Sequence, residues 1–453
     1  MTGLMGLLDM GAAAFGAHTA GVSIVGNNIA NVATEGYSRQ SVILNADTLI
    51  GGVRADGVLR AESHLLSGRE RDAAGSLGYS QSTSSALLDL DGQLALGDRN
   101  VVDALATFFG DLVDLSSAPL DPSLRQQVVL GARGLTDAFR SAAVATEDAI
   151  SRSDDRAATM VGQATELASQ IAAANRSLAG KYDPTIADQR DLAAQRLSQL
   201  IGGTARIDPD GNMRFVVDGG VVVVDGPRAA TLEATPDPAL GGLMRIDVVD
   251  GTHREDVTTR LDGGHIAGEL AFRDGAAVQT LQRLDTLAFD FATALNTAHQ
   301  SSAAPDGTTG LDLFDVPATA DGAAGLLAVN ATIENDPSLL ATGAVGGGPG
   351  DTNGLLAMLD LREQPLAGAG QRTFVNEAIG MMASVGSQAQ QATGAYSLET
   401  ARADVLASMR DPLAGVSLEE EMVRLSQLQR SAEAASTFIS TIDEMLARLI
   451  ATL

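Results

Sequence analysis

Both ends of this chain carry apolar residues at heptad spacing, a pattern typical of helices that pack along a shared seam. Near the amino end, two interleaved sets each advance by seven residues: Phe15, Val22 and Ile29, and His18, Val25 and Val32. Near the carboxyl end the seam runs through Leu418, Met422, Leu425, Leu428, Ala432, Ala435, Ile439, Ile442, Leu446, Leu449 and Leu453, with one three-residue slip after Leu425. Such a slip locally overwinds a coiled coil without abolishing it.

These two seams need partners. Ordering a residue costs roughly 1 kcal/mol or more, and each seam side chain returns roughly 1.5–3 kcal/mol only if it is buried. An isolated helix of this kind is therefore marginal in water. We expect the two ends of the chain to pair with each other or with neighbouring copies, in a layer separate from the middle; ordinary core helices of a bundle are the alternative.

The middle of the chain is predominantly helical. Apolar spacing predicts helices over residues 125–178 and 184–201, forming an αα-hairpin, and over residues 268–299. Further helices are predicted over 353–362 and 373–409, the second ended by Asp411-Pro412, and Ser417 with Glu420 forms a capping box that starts the last helix. Residues 301–350 are loop-rich with only brief apolar runs and a flexible glycine segment at 346–350, and no fold is predicted for them.

After residue 202 the helical spacing of apolar residues gives way to short apolar runs separated by turn residues, which predicts one inserted β unit. Short strands are predicted at residues 204–208, 213–217, 221–224 and 243–249, joined by Asp-Gly type turns. The predicted class is α-rich α+β: an elongated, multi-layer protein with terminal coiled-coil helices, a long helical bundle and a small inserted β domain. The predicted domains are residues 1–38 with 415–453, residues 39–201 with 268–414, and residues 202–267.

Composition excludes several classes of partner. The chain has 453 residues, a formal net charge of −27 and no Cys. A charge this negative repels phosphate backbones, so nucleic acid is not expected as a partner. We expect neither insertion into a membrane nor a cleavable signal peptide, because residues 1–32 contain no Lys or Arg and no run approaches eighteen apolar residues.

No catalytic or metal-binding motif is found. The five histidines, His18, His64, His253, His265 and His299, are far apart in sequence and form no zinc motif. The string Asp208-Pro209-Asp210-Gly211-Asn212 has its glycine too early for a calcium loop and is interpreted as a hairpin turn. Acidic pairs are interpreted as solvated or helix-dipole charges. We therefore expect no enzyme and no cofactor; a secreted acidic hydrolase is the remaining alternative from another class.

The string NNIANVATEGYSRQ at residues 27–40 is the most specific local motif. Locally, its Asn, Thr and Gly residues suit a helix end and a tight turn. As a whole it resembles the NNIAN-x-x-T-x-GY signature of the axial proteins of the bacterial flagellum, which include rod, hook and hook-associated proteins. The Ser-Arg-Gln continuation and residues 188–192, 268–273, 294–299, 417–422 and 439–445 resemble the hook-associated members in particular. A hook or rod protein is the alternative within the family.

The resemblance implies a structural protein of the flagellum, exported without a cleavable signal peptide to the cell exterior, that forms a homo-oligomeric ring between hook and filament. Implied partners are the hook protein, a second junction protein with the filament, and an export chaperone on the last helix. The signature positions implied in assembly are Asn27, Asn28, Ile29, Ala30, Asn31, Thr34, Gly36, Tyr37, Ser38 and Arg39. The implied assembly or chaperone contacts are Leu418, Met422, Leu425, Leu428, Ile439, Ile442, Leu446 and Leu449.

Overall fold

The α-rich α+β class is confirmed by the computed structural model, which describes residues 3–46, 52–95 and 100–451. The helices are α1 (Leu4–Ala30), α2 (His64–Ala95), α3 (Val101–Ser117), α4 (Pro122–Leu178), α5 (Pro184–Ile201), α6 (Gly264–Ala271), α7 (Val278–Gln300), α8 (Ala323–Leu326), α9 (Ala331–Asn335), α10 (Asn353–Asp360), α11 (Phe374–Ala414) and α12 (Leu418–Ala451). A π-helical segment, Phe272–Ala277, joins α6 to α7. Leu453 of the predicted seam lies outside the described residues.

The predicted αα-hairpin is present as α4 and α5. Both helices begin in the same way: Asp121 and Asp183 accept hydrogen bonds from backbone N–H groups of the first turn, and a proline occupies the first helical position. Proline is suited to this position because its missing N–H would have no partner there. The predicted start of α5 at residue 184 is confirmed, whereas α4 begins at Pro122, before the predicted residue 125.

The strands form small antiparallel sheets. They are β1 (Gln40–Ala46), β2 (Val53–Arg60), β3 (Thr204–Ile207), β4 (Met213–Val217), β5 (Val221–Asp225), β6 (Arg228–Ala229), β7 (Thr231–Pro236), β8 (Met244–Asp250), β9 (His253–Asp256), β10 (Ser302–Ala303), β11 (Phe314–Asp315), β12 (Ala328–Val329) and β13 (Gly343–Ala344). The inserted β unit, β3–β9, consists of two sheets ordered β3-β4-β5-β6 and β7-β8-β9. Asp208 and Asn212 close the β3–β4 turn as predicted, with Asp208 N donating to Asn212 O at 2.9 Å.

Apolar side chains of the middle form three clusters. The largest joins α3, α4, α7, α10 and α11 around phenylalanines in edge-to-face contact, with the rings of Phe108 and Phe291 5.8 Å apart. The second joins α4 and α5 to both sheets of the β unit, and the third joins α2 to α4 and α11. None of the three includes a described residue of α1 or α12. The first and last helices therefore stand apart from the middle core.

One prediction in the carboxyl half is wrong. Pro412 does not break the chain, because it lies in the last turn of α11, where its missing N–H costs one helical bond. The break comes at Gly415, whose N–H donates to Asp411 O at 2.9 Å. The predicted glycine segment, residues 346–350, lies in a turn in which the Asp351 carboxylate accepts from Ala344 N at 2.9 Å, and its flexibility stays a prediction.

A β-hairpin not predicted from sequence lies beside α1. Strands β1 and β2 pair from Gln40↔Arg60 to Ala46↔Val53. An added Cβ on Gly21 of α1 would lie 3.6 Å from Val42 Cγ1 of β1. The hairpin therefore packs on the first helix.

Candidate functional site

The signature segment, residues 27–40, first turns the chain out of α1. Asn31 ends the helix by donating from both its backbone N and its side-chain Nδ2 to Asn27 O, at 3.1 and 2.9 Å. Thr34 Oγ1 then donates to Asn31 Oδ1 at 3.1 Å. Gly36 follows with a φ of +80°, a conformation that favours glycine. The local interpretation as a helix end and tight turn is therefore correct.

Asn28 is the centre of the site. Its side chain is fully buried, and its Nδ2 donates to Gln40 O and to Glu421 Oε2, each at 2.9 Å. Its Oδ1 accepts from Tyr37 Oη at 2.8 Å and from Gln40 N at 2.9 Å. The single amide therefore joins α1, the start of β1 and the first turn of α12.

Arg39 makes the second contact with the last helix. Its Nε donates to Glu421 Oε1 at 2.7 Å, so the two oxygens of a fully buried carboxylate are shared between Arg39 and Asn28. The Arg39 backbone N donates to Ala414 O at 2.8 Å. The signature therefore holds both the end of α11 and the beginning of α12.

A second carboxylate connects the signature to the helical middle. Asp188 of α5 accepts from Ser38 N and from Arg60 Nη1, each at 3.1 Å, and Arg60 Nη2 also donates to Asp191 Oδ2 at 2.7 Å. Burial raises the pKa of Asp188, against the opposing effects of Ser38 and Arg60. Burial lowers the pKa of Arg60, but the surrounding carboxylates of Asp191, Glu62 and Asp188 outweigh it and raise that pKa overall.

Tyr37 remains a hydrogen-bond donor at neutral pH. Burial, with the charges of Asp188 and Glu421, raises the pKa of Tyr37 to about 12. An ionised phenolate could not donate to Asn28, so the shift extends this bond to pH values above the ordinary pKa of a tyrosine. The site is thus a polar joint between the terminal helices and α5.

The structure brings together only part of the predicted signature set. Asn28, Tyr37, Ser38 and Arg39 contribute contacts to the joint, and Asn31, Thr34 and Gly36 build the turn that places them. The other three do not point into the joint: Asn27 and Ala30 are exposed and Ile29 is half-buried.

The predicted carboxyl-terminal seam is correct in period but not in every position. Its slip is wrong: the inward-facing positions follow a continuous heptad pattern because Glu421, not Met422, occupies the seam near the start of α12. Met422 is 56% exposed, whereas Glu421 is fully buried. Of the predicted contacts, the five that face inward are Leu425, Leu428, Ile439, Ile442 and Leu446. Leu418, Met422 and Leu449 are about half exposed.

Most positions of the predicted amino-terminal seam do not face α12. Of its six positions only Val25 is buried, while Phe15 and Val32 are exposed and His18, Val22 and Ile29 are half-buried. Half of the buried positions of α1 are small residues: these positions are Gly11, Ala17, Gly21, Ile24, Val25 and Asn28. An added Cβ on Gly21 would lie 3.1 Å from Leu428 Cδ1, so the large seam residues of α12 fill the space that these small residues leave.

Sequence reasoning missed the charged half of the joint. Glu421, Arg60, Asp188 and Asp191 were not predicted as site residues. Glu421 lies three residues after Leu418 and four before Leu425, so heptad phase could have found it. In the sequence, residues 188–192 stand out only through their resemblance to the flagellar family.

A metal site is the next kind of functional site to consider. Within residues 3–46, 52–95 and 100–451, no group of three or more His, Cys, Asp or Glu side chains could hold a metal ion. A search of the same residues for a helix both long enough and apolar enough to span a membrane found none.

Comparison with known families decides the identity. The model of the flagellar hook-associated protein FlgK helical domain matches residues 87–314, half of the chain. The chain belongs to the FlgK family. A second model, the C-terminal part of flagellar basal body rod FlgEFG proteins, matches residues 413–452, which contain α12. The homologues and the families that match are structural flagellar proteins and not enzymes.

Individual relatives agree with the family. Flagellar hook-associated protein 1 of Bacillus subtilis is 25% identical over 493 aligned positions, which cover 98% of this chain and 97% of that protein. The protein of the same name from Escherichia coli is 27% identical over 74% of this chain, and the match spans only 65% of that relative's length. The structure of the flagellar hook junction protein FlgK from Burkholderia pseudomallei matches 77% of this chain with a TM-score of 0.69 and 15% identity, which supports the fold.

Proposed function

We propose that this FlgK-family chain is exported to the cell exterior, where copies form a ring that joins the flagellar hook to the filament. The observation that carries this proposal is the exposed apolar surface left on the paired terminal helices. The names of the relatives support the place in the flagellum: they are a hook-associated protein and a hook junction protein.

The terminal pair, α1 with α12, leaves many large apolar side chains in water. On α12 these are Leu418, Met422, Val423, Phe438, Met445, Leu449 and Ile450, with exposed fractions from 37% to 72%. On α1, Met5 and Phe15 are 69% and 40% exposed. Pairing within one chain therefore uses one face of α12 only, and the remaining apolar surface is available to a neighbouring copy.

In this proposal the three predicted domains are successive layers. Residues 1–38 with 415–453 form the inner assembly layer, residues 39–201 with 268–414 the helical middle, and residues 202–267 the outer β domain. The polar joint fixes the inner layer to the middle, which is the role we assign to the signature residues. The hook protein on one side and the second junction protein with the filament on the other are the proposed neighbours.

The same apolar surface needs protection before assembly. We assign its temporary cover to an export chaperone that binds α12, and export itself to a route that needs no cleavable signal peptide. A segment that is ordered only with a partner can bind the chaperone first and a neighbouring copy later, because its apolar side chains are still free to make contacts.

Deletion of residues 418–453 tests the proposal in a motile strain. We expect complete hooks, no attached filaments and filament subunits in the medium, as seen by electron microscopy and immunoblotting. Normal filaments on hooks that carry the truncated protein would overturn the assignment.

A milder pair of variants separates assembly from folding. Met445→Gln with Leu449→Gln removes exposed apolar surface and leaves the inward seam intact. Ser436→Gln with Ser440→Gln introduces the same residues at exposed polar positions of the same helix. We expect the first variant to lose filaments and the second to keep them, with equal helix content by circular dichroism. Equal motility of the two variants would contradict a role for this surface.

A further inference from the structure

From sequence alone, the two connections between the β unit and the helical middle would be expected to act as hinges. The chain enters the unit through Gly202-Gly203 and leaves it through Gly263-Gly264. Double glycines at both connections would ordinarily permit the insertion to swing on its stem. The structure places these four residues in a different situation.

The two connections cross in direct backbone contact. An added Cβ on Gly264 would lie 2.4 Å from Ile201 N, and one on Gly202 would lie 2.9 Å from Gly263 Cα. Both connections also lie against α2: an added Cβ on Gly75 would lie 3.3 Å from Gly202 Cα, and one on Gly78 would lie 3.1 Å from His265 N, next to Gly264, and 2.2 Å from Gln199 O at the end of α5. Here glycine permits close approach of three backbone segments, and that approach leaves no space for a swing.

Side chains of α4 then hold the β unit along its length. Asn175 is buried and pairs with both backbone groups of Met213: its Oδ1 accepts from Met213 N at 2.9 Å and its Nδ2 donates to Met213 O at 2.8 Å. Thr165 Oγ1 does the same at the edge strand β7, accepting from Leu232 N at 2.9 Å and donating to Leu232 O at 3.1 Å. Each side chain replaces the hydrogen bonds that a neighbouring strand would supply.

The third contact lies at the start of β8. The Asp154 carboxylate accepts from Met244 N at 3.1 Å, and the fully buried Arg273, from the π-helical segment, bonds to Asp154 and donates to Met244 O at 2.9 Å. The three contact positions on α4 are about three helical turns apart, so they recur on one face over roughly 32 Å. Between them, Ala157, Val161, Ala164, Ala168 and Ile171 join the β-unit core.

We propose that the β unit and α4 form one rigid body, with the double glycines acting as a lock. A force applied to the β unit then passes into α4 and is not absorbed at its stem. This inference does not depend on the proposed place of the protein between hook and filament.

Distances between spin labels in the full-length chain test the proposal, because a chain without cysteine accepts labels only where cysteines are introduced. One pair joins exposed Ser169 of α4 to exposed Thr252 of the β unit; a reference pair joins Ser141 to Ser169 within α4. We expect the first distance distribution to be as narrow as the reference. A distribution at least twice as broad, or one with two maxima, would overturn the proposal without any further variant.

Matched substitutions test the contacts. Thr165→Val with Asn175→Leu removes two of them, whereas Thr159→Val changes an exposed α4 hydroxyl that bonds only to its own helix. Gly78→Ala adds a methyl group that clashes with Gln199 O and should push the backbone segments at the crossing apart. Gly68→Ala, in the same helix, adds a methyl group that meets no atom within 4 Å. We expect the Ser169–Thr252 distance distribution to be at least twice as broad in the first variant of each pair and unchanged in the second. Helix content should be retained in all of them. Unchanged widths for the first members would overturn the proposal.

Discussion

At the scale of residues, the joint depends on an amide whose hydrogen-bonding capacity is fully used. A side-chain amide offers two N–H donors and two acceptor sites on oxygen. Asn28 makes two bonds of each kind while fully buried, with Gln40, Tyr37 and Glu421 as partners. A network satisfied in this way specifies one arrangement, because any other residue leaves a buried group without a partner.

Asn28→Ala should therefore destabilise the protein by roughly 2–3 kcal/mol, since it removes the partner of Glu421 Oε2 and of the Gln40 backbone groups, while Arg39 still bonds to Glu421 Oε1. The control is Asn27→Ala, at an exposed neighbouring position of the same helix, which should change stability by less than about 0.5 kcal/mol. Urea unfolding followed by circular dichroism measures both. Equal effects of the two substitutions would mean that the network does not hold the joint.

The residues of this joint could be predicted only in part. Asn28, Tyr37, Ser38 and Arg39 belong to a recognisable string. Their partners are distant in sequence, and pairing between a signature residue and Asp188 or Glu421 depends on how α5 and α12 are placed. Local pattern carries no information on that placement.

At the scale of elements, the terminal seams show what periodicity can and cannot specify. The heptad repeat of α12 is present, and large apolar residues marked most of its inward face. On α1 the same criterion selected mostly residues that do not face α12: the contact face includes Gly11, Ala17 and Gly21, and the bulky Phe15 points to water. A search for large apolar residues misses a helix face made of small residues, against which the partner helix packs its own large side chains.

Substitution of these glycines should separate the two helices. Gly21→Val adds atoms where a Cβ alone would already lie 3.1 Å from Leu428, so it should cost about 1–3 kcal/mol through overpacking. Gly16→Val, in the same helix, meets no atom within 4 Å and carries the same β-branched cost without the clash. Amide exchange over residues 425–446 should be faster in the first variant only. Similar exchange in both would show that α1 and α12 do not depend on this close contact.

The other elements were predictable where local chemistry decides them. Helices α4 and α5 have Asp-Pro starts, and the β3–β4 turn is closed by its own Asp208 and Asn212. The hairpin β1–β2 lacks such signals. The β1 sequence, QSVILNA, has three apolar residues in a row, so no alternation of apolar and polar residues marks it. Its position is set by packing on α1.

At the scale of the whole molecule, apolar and polar contacts are divided between two regions. The three apolar clusters hold α2–α7, α10, α11 and the β unit together, and contain no described residue of the terminal pair. The terminal pair is joined to them by charged and amide groups around Asp188, Arg60 and Glu421. A cavity of about 30 Å³ lies within this joint, lined in part by Arg60, Arg71 and Asp188. Polar contacts of this kind orient the layers but add less stability than an apolar core.

Local opening should therefore begin at the ends of the chain. In dilute monomer, amides of residues 3–35 and 418–451 should exchange at least tenfold faster than those of α4, because the terminal pair buries one face only and the middle has three apolar clusters. Hydrogen exchange read by mass spectrometry measures this. Raising the protein concentration until copies associate should slow exchange at the ends and leave α4 unchanged, since only the ends gain contacts. Ends as protected as α4 in dilute monomer would mean that one chain already satisfies its terminal helices and needs no neighbour.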